Sequence, residues 1–360
     1  MILIKKKMSD DNQQPHQQQQ LNHQDEQLTV DEKAKVEADN DEEFSEFRQM
    51  ICSIIPPLRP EFHKGQAGRI GLIGGSREYT GAPYFSAISS MKTGADLSYV
   101  FCNSDSASVI KSYSPELIVY PILDQPNFLN DFNEILPKLH VLVIGPGLGR
   151  NDQILSNVGT VIAQVKERNM PIVLDADALY FISKCPEIVR GYTAAILTPN
   201  VAEFDRLYTA VFRSDPKQLS DKTVGGDDNA RSAVELLART LGHITILRKG
   251  PEDIVSNGRI TYTCREPGSY RRCGGQGDLL SGSLGTFTHW SHKAFESNQI
   301  SGTLPSLYQN YSPTILACLA SSMLTRRCAR LAFQKHARST TTTDMIQEIK
   351  NAFTALFPVD

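Results

Sequence analysis

Six places in this 360-residue chain combine residue types that could do chemistry. The most specific is Gly274-Gly275-Gln276-Gly277-Asp278, which leads into a helical pattern beginning at Asp278. Free backbone amides and the positive end of the helix dipole converge there, making an anion hole with a carboxylate beside it. A plain N-cap role for Asp278 is the alternative, but a cap does not require three glycines in the four preceding residues. A second element, Asn200-Val201-Ala202-Glu203, sets an amide and a carboxylate one helical turn apart after a strand. Its spacing fits a capping box equally well. Lys249-Gly250-Pro251-Glu252-Asp253 supplies a cation on a tight turn; taken alone it reads better as a solvated turn than as a nucleotide contact. Asp175-Ala176-Asp177 places two carboxylates at another strand end, which suits metal or hydroxyl binding and suits an N-cap pair as well. Finally, Gly74-Gly75-Ser76 and Gly145-Pro146-Gly147-Leu148-Gly149 follow apolar runs, where glycine permits positive φ and lets a ligand touch backbone amides. Neither turn continues into the dinucleotide fingerprint, and no Gly-Lys-Ser/Thr follows, so Rossmann oxidoreductases and Walker-type NTPases are not supported. Trp290 and His140 have no partner pattern and read as core or surface residues.

These turns need a scaffold that brings them to one edge. Short apolar runs predict strands at Arg69–Ile73, Leu97–Cys102, Leu117–Tyr120, His140–Ile144, Ile172–Asp175, Ala194–Leu197 and Ile244–Leu247. Helical patterns cover Pro83–Gly94, Asp152–Glu167, Val201–Phe212, Asn229–Leu241, Asp278–Trp290, Pro313–Gln334 and Thr343–Phe357. The alternation implies a mostly parallel sheet with helices on both faces, in one domain of about 300 residues. Asn257-Gly258 between strand-like runs predicts a two-residue hairpin turn, both of whose residues tolerate positive φ, and an antiparallel far edge. Polar, turn-rich Ser214–Asp228 and Ser291–Tyr311 are expected to be surface insertions. In open α/β sheets the crevice lies at the carboxyl ends of the strands, where all six candidate elements would stand.

Forty acidic against 37 basic residues leave a net charge of -3, which excludes a nucleic-acid-coating protein and favours small-molecule partners. The apolar stretches fall short of the roughly 20 residues a membrane span needs. Seven cysteines without a C-x-x-C pair give neither a zinc frame nor a disulfide scaffold, and read as reduced thiols of a cytoplasmic protein. Residues 1–43 are Gln-rich and then acidic, too poor in apolar residues to offset the entropy of ordering, and are expected to be a disordered tail. They match neither a secretion signal nor a transit peptide. The folded domain is expected to span 44–360, opening on an amphipathic segment from Phe44 to Ile55.

In order and spacing, Gly74-Gly75-Ser76, Gly145 to Gly149, Leu174-Asp175-Ala176-Asp177-Ala178-Leu179, Leu197 to Arg206, Lys249-Gly250 and Gly274 to Asp278 together resemble the ATP-dependent NAD(P)H-hydrate dehydratase family of the ribokinase-like superfamily. The resemblance covers about Ile51 to Pro358 and implies a ribokinase-like three-layer α/β/α fold. It also implies a substrate, hydrated NADH or NADPH (NADHX or NADPHX), whose ring hydroxyl is phosphorylated by ATP and lost as phosphate. Carried over by the resemblance, Asp278 is the catalytic base. Gly147, Asn200, Val201, Ala202, Glu203, Phe204, Asp205, Arg206 and Asp278 bind the hydrated dinucleotide. Lys249, Gly250, Pro251, Glu252 and Asp253, with Gly268, Ser269, Tyr270, Arg271, Arg272, Cys273, Gly274, Gly275, Gln276 and Gly277, bind ATP, and Asn200 and Glu203 organise Mg²⁺ indirectly. An NAD(P)HX epimerase is expected as a separate functional partner, since the residues ahead of the fold are too few for such a domain. Oligomerisation is common in the superfamily, which leaves a homo-oligomer open. A vitamin or sugar kinase of the superfamily and a non-catalytic nucleotide sensor are the rival readings.

The tail gives the first testable outcome. Deleting residues 1–40 is expected to leave turnover and melting temperature nearly unchanged, because that segment lacks core-forming residues. A large loss of either, measured on the purified truncated protein, would show that the segment docks.

Overall fold

The computed structural model describes residues 48–214, 226–301 and 311–358. The chain divides into Met1–Gln49 and Met50–Asp360, and the sheet with the helices that cover it belongs entirely to the second part. The expected tail, with Phe44 and Phe47, lies outside the described residues, while Ile51, Ile54 and Ile55 are buried as the amphipathic pattern requires.

Nine strands form one sheet: β1 (Arg69–Ile73), β2 (Leu97–Cys102), β3 (Ile118–Pro121), β4 (Val141–Ile144), β5 (Ile172–Leu174), β6 (Ala195–Leu197), β7 (Thr245–Arg248), β8 (Asp253–Ser256) and β9 (Thr261–Cys264). Their spatial order is β3-β2-β1-β4-β5-β6-β7-β8-β9. Pairing is parallel from β3 to β7 and antiparallel across β8 and β9, so the far edge is antiparallel as expected. The loop between β8 and β9, however, runs over four residues, Asn257 to Ile260, with only Gly258 at positive φ, and is not the two-residue turn expected. The four residues of β4 are all fully buried, the apolar run of a parallel strand covered on both faces.

The helices are α1 (Gly81–Thr93), α2 (Ser104–Tyr113), α3 (Phe128–Ile135), α4 (Asp152–Glu167), α5 (Asp177–Lys184), α6 (Val201–Phe212), α7 (Gly226–Thr240), α8 (Gln276–Ser301), α9 (Pro313–His336), α10 (Thr342–Gln347) and α11 (Ile349–Leu356). A core of Phe128, Phe132, Val158, Ile162, Phe204 and Leu237 packs α3, α4, α6 and α7 over one side of the sheet. On the other side α8 packs between α1 and α9. This is the expected three-layer α/β/α arrangement. No helix among the described residues is long and apolar enough to cross a membrane.

Several expectations need correction. Helices α2, α3 and α5 stand where the sequence pattern predicts none: α2 is mostly polar with three buried residues, and α3 and α5 are only eight residues long. Ser291 does not open an insertion, because α8 runs unbroken from Gln276 to Ser301; 302–310 lie outside the described residues, as do 215–225 of the other expected insertion. The single helix expected over Thr343–Phe357 is two. The chain turns at Glu348, whose carboxylate is held by Lys335 and by Asn351 at 2.9 Å.

The α1–α8 contact is unusually close because its surfaces are small. Ser86 and Ser281 share a hydrogen bond of 3.3 Å, and the Thr286 hydroxyl donates to the Ser90 carbonyl at 2.9 Å. A Cβ at Gly282 would lie 1.9 Å from the Ser86 carbonyl oxygen. Gly282→Ala must therefore push two helices apart. We expect a loss of about 2 kcal/mol or more in denaturant unfolding. A variant within about 0.5 kcal/mol of wild type would show that the interface yields freely.

Candidate active site

The order of the strands reverses at β1, which pairs with β2 on one side and β4 on the other, and this is where an α/β sheet opens a crevice at its carboxyl edge. The turns leaving the strands interlock there. Gly75 donates its amide to the Gly147 carbonyl at 3.1 Å, Asn103 to Gly75 at 3.2 Å, Asp175 to Ile144 at 3.0 Å, Thr198 to Leu174 at 3.1 Å and Lys249 to Pro199 at 2.8 Å. Backbone presses on backbone: a Cβ at Gly145, where φ is +125°, would sit 1.8 Å from the Asp175 carbonyl oxygen. Ala176 is held at φ +48°, a strained conformation for an L residue. It separates the two carboxylates of its motif, sending Asp175 inward and Asp177 outward. Asp177 accepts the Gly149 amide at 2.9 Å and pairs with Arg150 at 3.3 Å.

Asp175 is 2 % exposed and meets Lys249 from the end of β7, with Nζ to Oδ1 at 2.8 Å; the same oxygen accepts the Thr198 hydroxyl at 2.8 Å. Lys249 also feels Glu203 on α6 and Asp278 on α8. Burial alone would push its pKa down, but Asp175, Glu203 and Asp278 together raise it, so the ammonium stays charged. Burial raises the Glu203 pKa against the pull of Lys249. The Asp278 carboxyl is pushed well above the usual carboxylate range, first by burial and then by Asp175, with Lys249 opposing. These four groups form one electrostatic unit.

The residues expected on the nucleotide side form a braced arc. Arg326 grips the turn after β7, donating to Asp253 at 2.9 and 3.0 Å, to the Pro251 carbonyl at 2.7 Å and to the Gly250 carbonyl at 3.0 Å. Asp253 also accepts the Ser322 hydroxyl at 2.6 Å and the Gly250 amide at 3.0 Å. Its carboxylate therefore faces inward and shapes the turn; Glu252 is exposed. The Gly268 Cα faces the Arg326 side chain, and Tyr270 is fully out in solvent. Ser269, Arg271 and Arg272 bond among themselves, and Gln276 donates to the Arg271 carbonyl at 3.0 Å. Thr342 donates to the Gly274 carbonyl at 2.6 Å and lies 3.6 Å from the Cys273 thiol. At Gly275, φ is +93° and a Cβ would strike Phe85 and Thr342. Because α8 begins at Gln276, Asp278 is its third residue and not its first.

The residues expected on the substrate side fall in different surroundings. Asn200 and Glu203 form a complete capping box: the Glu203 amide donates to Asn200 Oδ1 at 2.9 Å, and the Asn200 amide to Glu203 Oε2 at 2.8 Å. Two of their oxygens are thus committed to the helix, and among the described residues no cluster of three or more His, Cys, Asp or Glu forms a metal site. Phe204 is a core residue beneath the Arg248 guanidinium and against Tyr208, so its side chain is not a binding surface. Val201 and Ala202 are exposed, Asp205 is half-buried, and Arg206 lies near the Tyr180 ring beside Arg150 and Lys184.

A cleft of about 760 Å³ opens at the switch point, lined by Ser76, Tyr79, Asn103, Gly147, Asn151, Asp177 and Asp278 among others. Only Gly147 and Asp278 of the expected substrate residues line it. The Ser76 hydroxyl and Asn103 Oδ1 are buried there without a hydrogen-bond partner, as befits groups that a polar ligand satisfies. The sequence signal for Ser76 is the Gly74-Gly75-Ser76 turn; Asn103 carries none, since it falls at the start of a helix that the pattern does not predict.

A mostly parallel sheet between helical layers, with a glycine-rich turn leading into a helix whose first turn carries a carboxylate, has the ribokinase-like fold. In keeping with this, the fold matches a ribokinase-like superfamily protein of Enterococcus faecalis (TM-score 0.65, 20 % identity, 85 % of this chain and 94 % of that one). It also matches the ADP/ATP-dependent NAD(P)H-hydrate dehydratase of Bacillus subtilis, co-crystallised with ATP/Mg²⁺ (TM-score 0.59, 18 % identity, 86 % and 97 %). A family model described as NAD(P)H-hydrate dehydratase matches residues 70–351. Proteins named ATP-dependent (S)-NAD(P)H-hydrate dehydratase are 50 % identical over 313 residues in Ixodes scapularis (87 % of this chain, 96 % of the relative) and 50 % identical over 309 residues in Homo sapiens (86 % and 84 %). The chain belongs to the NAD(P)H-hydrate dehydratase family.

Two stability outcomes arise from the site. A raised carboxyl pKa means that the folded protein binds the proton more tightly than the unfolded chain, so its stabilising contribution is present at low pH and lost as pH rises through the folded value. Asp278→Asn should therefore melt above wild type at pH 8, with the advantage narrowing towards pH 4; an unchanged difference across that range would mean that Asp278 carries no burial cost. Asn200→Ala should cost about 1 kcal/mol through the lost cap, whereas Glu203→Gln, which can keep the reciprocal bond, should cost less.

Proposed function

We propose that this protein is an ATP-dependent (S)-NAD(P)H-hydrate dehydratase, returning (6S)-NADHX or NADPHX to NADH or NADPH. The observation that carries this reading is the double position of Asp278. It stands in the first turn of α8 beside the Gly274–Gly277 amides and also on the wall of the 760 Å³ cleft. It is the residue where a nucleotide phosphate and a dinucleotide ring could meet.

In this reaction the ring hydroxyl gives its proton to the Asp278 carboxylate while its oxygen attacks the γ-phosphorus of ATP; the bond to the bridging oxygen breaks and ADP departs. The amides of Gly275, Gln276 and Gly277, at the positive end of α8, stabilise the charge that moves through the transferring group. The C6–O bond of the phosphorylated ring then breaks as the ring nitrogen lone pair moves in, phosphate leaves with the bonding electrons, and a proton lost from the adjacent ring carbon restores NAD(P)H. Phosphorylation turns hydroxide, a poor leaving group, into a good one. The raised pKa of Asp278 suits a base that must accept a proton near neutrality.

Mg²⁺ fits this site as an ion carried with the nucleotide, since Glu203 keeps a carboxylate oxygen beyond its bond to the Asn200 amide but, among the described residues, there is no pre-formed cage. When bound, it would neutralise phosphate charge. Since the relatives' names specify the S form, a separate epimerase is the natural functional partner, supplying that form from the other. Seven cysteines, none of them in a disulfide, are compatible with a cytoplasmic setting.

The test is to mix purified protein with Mg²⁺, hydrated NADH and each nucleotide in turn and to follow NADH absorbance. Recovery with ATP supports the reading, whereas a stable phosphorylated product without NADH would mark a kinase. Asp278→Asn should lower the rate about 10²- to 10⁴-fold. ATP binding should stay equal or tighten, because a negative charge near the triphosphate is gone. Retention of more than about a tenth of the wild-type rate would remove Asp278 from the role of base.

A further inference from the structure

We propose that Asp175 is a positioning residue, fixing the Lys249 ammonium beneath the Gly277 end of the anion hole so that the cation attends phosphoryl transfer from a set place. This rests on the ATP-driven reaction proposed for the site. The placement of Asp175 is overdetermined. Its amide is tied to Ile144 at 3.0 Å, Gly145 abuts its carbonyl, and the strained Ala176 turns its side chain inward. Its Oδ1 takes hydrogen bonds of 2.8 Å from both Thr198 and Lys249. On the Lys249 side, the backbone amide is anchored to Pro199 at 2.8 Å. The pair points at the anion hole: a Cβ at Gly277 would lie 3.3 Å from Lys249 Nζ and 3.9 Å from Asp175 Oδ2.

Stability is a poor explanation for this arrangement, because a buried ion pair seldom outperforms apolar residues of the same volume. Charge balance is a better one. Asp175, Glu203 and Asp278 place three carboxylates where a triphosphate must arrive, and Lys249 is the single cation among these four. An untethered ammonium could swing to any of the three acids. Asp175 holds it where it offsets the charge entering the glycine loop, and leaves the Asp278 carboxylate available to the substrate hydroxyl.

The charged groups acting on Asp278 are Asp175 from the end of β5 and Lys249 from the end of β7. Glu203 on α6 acts on Lys249, and Arg206 on Glu203. The two halves of the pair therefore push the acidic limb of the activity profile in opposite directions. Asp175→Asn removes the charge that raises Asp278, so the acidic limb of kcat/KM should move to lower pH. Lys249→Gln removes the charge that lowers Asp278, so the limb should move to higher pH.

Full-length protein would be assayed for ATP-dependent NADH recovery across pH, with melting temperatures measured alongside. We expect Asp175→Asn to lower kcat about 10- to 100-fold, with a much smaller change in the KM for ATP, and the two limbs to diverge. A merely structural Asp175 would lower the melting temperature and leave the limb in place. Folded variants whose limbs stay put or move together would overturn the proposal, as would a wild-type kcat in Asp175→Asn. Should Asp175→Asn not fold, Lys249→Gln decides alone, and an unmoved limb there overturns the proposal. A wild-type protein that recovers no NADH with ATP would overturn the reading of the reaction itself, whereas an active wild type with unshifted variants overturns only the role of Asp175.

Discussion

The site depends on one steric constraint, the contact of backbone with backbone among the turns that leave β1, β4 and β5. A Cβ at Gly74 would come within 2.1 Å of the Pro146 carbonyl oxygen, and one at Gly145 within 1.8 Å of that of Asp175. No side chain fits between these turns, and amide bonds carry the ladder onward past the strand ends. Turns joined in this way cannot shift independently. The cleft wall at Gly147, the Asp177 carboxylate that holds the Gly149 amide, and the buried Asp175 therefore share one rigid frame. Rigidity matters because polar groups aimed in advance at developing charge need not reorganise during the reaction.

The frame explains how acidic groups can serve a reaction of polyanions. Three carboxylates converge on one ammonium, and burial keeps that ensemble from being solvated freely. Burial also suits the base role proposed for Asp278: the same desolvation that costs stability raises its affinity for a proton. Lysine suits the centre better than arginine would, since its ammonium is a compact point charge that can be approached from several sides, whereas a guanidinium demands a planar fork. Arginine appears instead where a fork is wanted, at Arg326, which clamps both oxygens of Asp253 and two carbonyls of the turn behind Lys249. The turn proposed to meet the nucleotide is thus shaped from behind by Arg326.

Which parts of this are legible in the sequence depends on what local pattern can encode. The strands of the parallel sheet are readable because burial on both faces leaves apolar runs such as Val141–Ile144, and glycines after them mark the rim. Asp278 is readable because three glycines before a helix have no ordinary structural purpose. Short helices such as α2 are not, since a polar sequence with three buried residues carries little periodicity. Nor can spacing reveal that Asp253 faces inward, because its partners Ser322 and Arg326 stand about seventy residues away on α9. Asp175 and Asp177 look alike in sequence; only the strained Ala176 between them gives the two carboxylates different surroundings.

The Asn200–Glu203 pair shows why capping and function need not be rival explanations. The capping box commits Glu203 Oε2 to the Asn200 amide, which fixes the side chain at the start of α6 instead of leaving it to wander in solvent. A carboxylate so fixed has a second oxygen, and this one also lies within the electrostatic reach of Lys249. The helix cap is thus the means by which the charge is placed. The same holds at α8, where the close Gly282–Ser86 contact seats the helix whose first turn carries Asp278. In both places the packing that forms the helix determines where the carboxylate stands, so, under the proposed roles, a substitution that loosens the packing should disturb the chemistry before it unfolds the protein.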